Sequence, residues 1–172
     1  MSIIFSGSEL LEVALGIERN GAAFYQALAE KTKNNSARAI YEHLAAEEVK
    51  HLKTFQGMLD AVANYQPPEG YAEEYRLYLK SLVDSSVFTD VASARQIAAR
   101  VSSEVEALDI GIQAEKDSIL FYTEMKNLVK PADHQVILTI INQERDHLNQ
   151  LSQLKKQCPK LGNPLKLEES ER

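Results

Sequence analysis

The chain has 172 residues, with 19 Lys and Arg against 25 Asp and Glu and a net charge of −6. That length suits one domain with a hydrophobic core, and the acidic balance argues against nucleic acid or an anionic membrane as partner, because both select basic patches. Seven Gly and five Pro, below the usual ~7 % and ~5 %, favour a few long helices over many short strands. The lone cysteine, Cys158, excludes an internal disulfide and CxxC-type zinc or rubredoxin sites.

Residues 1–7 hold no basic stretch and an apolar run of only Ile3, Ile4 and Phe5, so no secretion signal is expected. No window approaches the ~18 consecutive apolar residues of a membrane span. The expectation is a soluble, cytoplasmic chain. Four long segments then carry apolar residues at a helical period. The first follows Ser8 as N-cap, with Leu11, Ala14, Leu15, Gly21, Ala22, Tyr25 and Leu28 on one stripe, and stops near Asn34-Asn35-Ser36, residue types that favour turns. The second runs from Ser36 to Asn64 with Tyr41, Leu44, Leu52, Phe55, Leu59 and Val62 on one side, until Tyr65-Gln66-Pro67-Pro68-Glu69-Gly70 breaks it.

A long connection follows, with a short helix over Ala72 to Leu82 and another opening near Ser93. The third long helix starts at Ser103, where Ser103 and Glu106 read as a capping box, and its stripe is Leu108, Ile112, Ile119, Tyr122 and Met125 until Pro131. The fourth shows Ile137, Ile140, Ile141, Leu148, Leu151 and Leu154 before Cys158-Pro159. Residues 1–158 are expected to form a single domain and 159–172 a loose polar tail. Two short turns and one long connection predict an all-α fold, a four-helix bundle of two antiparallel helix pairs joined by a crossover that contains a short helix.

The two halves repeat. At an offset of 97, Glu18 falls on Glu115 and Phe24-Tyr25 on Phe121-Tyr122; at an offset of 96, Glu48-x-x-His51-Leu52 falls on Glu144-x-x-His147-Leu148. Each half therefore carries one Glu and one Glu-x-x-His. All six residues share the spacing of the apolar stripes: Glu18 with Ala14 and Gly21, Glu48 and His51 between Leu44 and Phe55, Glu115 between Ile112 and Ile119, Glu144 and His147 between Ile140 and Leu151. Carboxylates left unpartnered in an apolar interior cost several kcal/mol each. A pair of divalent cations balances the four glutamates with two neutral histidines, and oxidation to two trivalent ions with a bridging oxide keeps that balance. Mixed carboxylate and imidazole donors suit iron or manganese, and zinc is compatible.

With that donor pattern, the sequence resembles the ferritin-like di-iron carboxylate superfamily, in its rubrerythrin and bacterioferritin branch, without a rubredoxin domain. The resemblance runs from residue 8 to 158 and rests on Glu18, Glu48-x-x-His51, Glu115 and Glu144-x-x-His147. It implies a ferritin-like bundle with two iron ions bridged by Glu48 and Glu144, and with Glu18 and His51 on one ion and Glu115 and His147 on the other. Tyr25 and Tyr122 look like the family's tyrosines that hydrogen-bond these carboxylates, although core packing accounts for them equally well. The family implies a redox protein that reduces oxygen or hydrogen peroxide. Iron oxidation for storage or delivery is the alternative, and a metal-stabilised structural module a third. Rubrerythrins carry a further Glu on the third long helix, used in the metal shift of peroxide reduction; here that position is Ser118. With one cysteine in the chain, the electron donor must be a separate protein.

The remaining candidates read as ordinary. Glu47 has Gln143 as its repeat counterpart and Lys50 three residues on, which suits a surface residue beside the site. His43 and His134 lack partners in phase, Asp117 and Asp146 point off the stripes, and Cys158 falls beyond the last turn. Tyr65, Tyr71, Tyr75 and Tyr78 of the crossover suggest a packed or partner-facing patch, with a homodimer or larger homo-oligomer as the expectation.

Overall fold

The computed structural model describes residues 7–61 and 73–161, and every regular element among them is helical. α1 spans Gly7–Lys31, α2 Asn35–Ala61, α3 Glu73–Asp84, α4 Val91–Arg100, α5 Glu104–Lys126 and α6 His134–Leu161, with a 3₁₀ turn at Pro131–Asp133 ahead of α6. No described helix is long and apolar enough to cross a membrane. The predicted bundle is present, with α1 against α2 and α5 against α6 as the two closely packed pairs. Short connections, 32–34 and 127–133, force each pair to run antiparallel.

Local chemistry sets the helix ends. Asn34 Oδ1 accepts from the backbone N–H groups of Ser36 at 2.9 Å and Ala37 at 3.2 Å, which starts α2. Asp90 caps α4 in a reciprocal box with Ser93, three residues before the position where the sequence suggests an opening. Ser103 accepts from Glu106 N–H at 3.1 Å as expected. The Glu106 carboxylate does not close the box on Ser103, however. It reaches one residue further back, to Ser102 N–H and Oγ, both at 2.7 Å. At the other end of α1, Ser8 lies inside the helix rather than ahead of it. Helix α6 continues three residues past Cys158, so that cysteine sits buried within the helix and the expected tail cannot begin at 159. Residues 162–172 lie outside the described residues, as do Tyr65 and Tyr71.

The crossover is built onto the bundle. Helix α3 meets α5, where the Tyr75 hydroxyl donates to Glu124 Oε2 at 2.6 Å and Leu79 is buried. Helix α4 lies on α1 through Ala94 and Ala98. The Lys31 ammonium donates to the carbonyls of Ala99 at 2.8 Å and Val101 at 2.7 Å, a cation at the C-terminal end of α4.

The apolar core divides into two parts. One gathers Phe24, Leu28, Tyr41, Leu44, Leu108, Leu151 and Leu154; the other holds Leu10, Leu15, Phe55, Met125, Ile137 and Ile141. Between them in each long helix lie the stripe positions occupied by Glu and His. A second buried carboxylate sits in the first part, one that the sequence reading does not single out. Glu104, 1 % exposed in the first turn of α5, accepts from Thr32 Oγ1 at 2.9 Å and from the Tyr41 hydroxyl. Burial, then the bond to Glu104, holds the Tyr41 phenol neutral far above its ordinary range. Tyr41→Phe is expected to destabilise the fold by about 1–3 kcal/mol, the usual cost of leaving a buried acceptor short of its partner, read as a lower thermal midpoint with unchanged helix content.

Candidate metal centre

The six predicted residues come together. Glu18 of α1, Glu48 and His51 of α2, Glu115 of α5 and Glu144 and His147 of α6 are each at most 4 % exposed. They form two groups of four whose donor atoms lie within 4.8 Å of one another: Glu18, Glu48, His51 and Glu144, and Glu48, Glu115, Glu144 and His147. Glu48 and Glu144 belong to both. Each group centres on one imidazole. His51 Nδ1 faces Glu144 Oε1 at 2.9 Å and Glu18 Oε2 and Glu48 Oε2 at 3.4 Å each. His147 Nδ1 faces Glu144 Oε2 at 3.0 Å, Glu48 Oε1 at 3.6 Å and Glu115 Oε2 at 3.8 Å. The two rings stack with centroids 5.7 Å apart.

Both tyrosines donate to these carboxylates, but across the bundle. Tyr25 of α1 binds Glu115 of α5, and Tyr122 of α5 binds Glu18 of α1. Each tyrosine follows its own helix's Glu by seven residues, so the exchange requires α1 and α5 to run antiparallel. Gly111 permits one half of it: a Cβ there would stand 3.3 Å from Tyr25 Cε1 and hydroxyl, tighter than ordinary packing. Outside this ring, His51 Nε2 pairs with Gln143 Oε1 at 3.2 Å, which leaves Nδ1 turned inward. Glu47, the counterpart of Gln143, is half-buried, and its bond from the Lys50 ammonium holds its carboxyl below the usual range. His43 is exposed, and half-buried His134 pairs with the Val129 carbonyl at 3.2 Å. Asp146 is exposed; Asp117 is half-buried, accepting from Gln113 at 2.7 Å.

Without metal, protons carry the balance. Burial first, then the charge of Glu48, pushes the carboxyls of Glu18 and Glu115 well above their ordinary range. For Glu48, burial works in the same sense, but the hydrogen bonds from Glu18 and the two histidines outweigh it and leave the group ionised. Burial would lower both histidines, yet their carboxylate neighbours win: His51 is pushed far up and His147 up to about 12.

The arrangement fits two metal ions. His51 Nδ1 and Glu144 Oε1 are buried and lack a hydrogen-bond partner although they lie 2.9 Å apart. With the Nδ1 proton displaced, two lone-pair atoms so placed match neighbouring ligands on one ion, which stand about 3 Å apart for bonds of about 2.1 Å. A bundle of four long helices that turns Glu and Glu-x-x-His donors into one buried layer defines a class of protein, the dinuclear metal bundles. Within that class, the rubrerythrin family model matches residues 9–155, and the chain belongs to the rubrerythrin family. The fold is also similar to a crystal structure from Thermotoga maritima, provisionally assigned as a ferritin-like diiron-carboxylate protein: 31 % identity over 91 % of this chain and 98 % of that one, with a TM-score of 0.68. No curated protein matches the chain.

Proposed function

We propose that Glu18, Glu48, His51, Glu115, Glu144 and His147 hold two iron ions and that the protein is an oxidoreductase passing electrons from a separate donor protein to oxygen or peroxide. Two interlocking donor groups sharing Glu48 and Glu144 support this reading above all. Glu48 and Glu144, which belong to both groups, would be shared by the two ions, and Glu18 with His51 and Glu115 with His147 would each hold one of them. Four carboxylates and two imidazoles form the mixed oxygen and nitrogen set that iron accepts. When bound, the metal pair supplies the electrons for the reaction.

The protein's part is geometry and exclusion of water. Tyr25 and Tyr122 hold Glu115 and Glu18 in place by donated hydrogen bonds, and Gln143 orients His51. The two apolar core regions above and below the layer keep bulk water from the carboxylates. Metal analysis of anaerobically purified protein, with absorption spectra before and after oxidant, tests the proposal. Two irons per chain and a near-ultraviolet band on oxidation are expected. Stoichiometric zinc with no redox response would replace it with a structural role, and continued iron uptake beyond two per chain with iron storage. Tyr122→Phe is expected to retain both ions and to change the absorption of the oxidised state, because it frees one carboxylate oxygen without removing a ligand.

A further inference from the structure

The six donors repeat between the two halves of the chain, and so do the phenols that bind Glu18 and Glu115. The groups behind the two histidines do not repeat. His51 Nε2 donates to Gln143 Oε1 at 3.2 Å, so that ring is held from outside while its Nδ1 faces the layer. For His147 the repeat puts Glu47 in the place of Gln143, because each precedes the shared glutamate of its helix by one residue. That partner is not engaged. Among the described residues His147 forms its hydrogen bond through Nδ1, to Glu144 Oε2 at 3.0 Å, and Nε2 has none.

Glu47 is instead bound by the ammonium of Lys50, one turn further along α2. The Lys50 bond holds its carboxyl low, burial opposes this, and the charges of Lys50, His43 and His147 add to the lowering, which sets Glu47 close to both imidazoles. The exposed ring of His43 packs on His147 at a steep angle, with centroids 6.5 Å apart. Charge does not make up the difference between the halves. The ammonium in contact with Glu47 offsets its charge at His147, and the Gln143 amide carries none. Orientation is what remains. A ligand already held by an outer hydrogen bond loses less freedom when it binds, and such outer partners are worth about 10–100-fold in metal affinity.

We infer that the two ion positions are unequal: the one at Glu18 and His51 fills first, and the Lys50–Glu47 pair weakens the one at Glu115 and His147 by withholding the partner of its imidazole. The inference rests on the metal reading proposed above. Gln143, Glu47 and Lys50 act as positioning residues, since none of them belongs to either donor group.

Manganous ion, added to the metal-free protein, is the probe. Repulsion between two cations also separates binding steps, so the location of the first ion and the response of each step decide. In crystals grown with one equivalent, anomalous scattering is expected between Glu18 and His51. Gln143→Leu is expected to weaken the first step about tenfold or more and to spread one equivalent over both positions. Lys50→Met frees Glu47 to turn to His147, and is expected to tighten the second step by about tenfold with the first unchanged. Both variants should keep their helix content and hold two ions at saturation. A first ion at Glu115 and His147, equal occupancy of the two positions in the unaltered protein, or a second step unmoved by Lys50→Met overturns the inference and leaves the metal reading standing. No manganese bound by the unaltered protein overturns both.

Discussion

Loading the protein with ferrous iron in the absence of oxygen is expected to raise its melting temperature by about 15 °C or more at pH 8, and by much less at pH 5. A ligand at about 1,000 times its Kd stabilises the folded state by about 4 kcal/mol per site, and each kcal/mol is worth about 2–4 °C in a chain of this size. The pH dependence follows from the protons that occupy the layer without metal. Glu18 and Glu115 have folded pKa values raised from an ordinary 4.5, so their contribution is full below pH 4.5 and is lost as pH rises through the folded values. His147, raised from 6.5 to about 12, contributes fully below pH 6.5 and progressively less up to about 12. Glu48 works the other way: its depressed pKa gives stability above pH 4.5 that disappears in acid. The metal-free protein therefore weakens as pH climbs above 6.5, while ligands that must shed protons bind metal more tightly. Thermal unfolding with and without iron across pH 5–9 should show the two curves diverging. Curves that run parallel would mean that the layer's protons are not displaced by metal.

Glu144→Ala is expected to remove both ions. Glu144 belongs to both donor groups, is 1 % exposed, and approaches His51 Nδ1 at 2.9 Å and His147 Nδ1 at 3.0 Å. Under the proposed metal reading, its loss would take a ligand from each ion and remove the carboxylate between the two imidazoles. Metal affinity should fall by more than the ~10–100-fold that follows loss of an outer hydrogen-bond partner. Glu18→Ala removes a member of one group only, so the ion at Glu115 and His147 is expected to persist. Glu47→Gln, altering a half-buried carboxyl outside both groups, should leave two ions. Metal content after gel filtration distinguishes the three, and two ions per chain in Glu144→Ala would remove the bridging role.

The donor layer was legible in the sequence because phase and spacing survive without tertiary information. Glu18, Glu48, His51, Glu115, Glu144 and His147 sit three or four residues from apolar neighbours, and two offsets superpose them. Glu104 obeys the same rule, lying on the row 104, 108, 111, 115, 118 and 122 with its burial written in that phase. Without a repeat partner or a histidine three residues on, it carries no chemical label. The exchange of tyrosines was not legible at all. Tyr25 is on the same face as Glu18, and only the way the two helix pairs meet sends its hydroxyl to Glu115. A cavity lined by Leu82, Val83 and Phe88 has the same origin, since these residues lie in a connection whose docking on α1 and α5 no local pattern announces.

The exchanged phenols make the two halves mutually dependent. Neither helix pair by itself carries an intact environment for its own acid: Glu18 waits on a hydroxyl from α5, and Glu115 on one from α1. A fragment ending within the crossover would thus hold three of the six donor residues and a tyrosine aimed at nothing, and two such fragments related by a half-turn would restore the complement. The symmetry of the centre lets one duplicated hairpin build the whole.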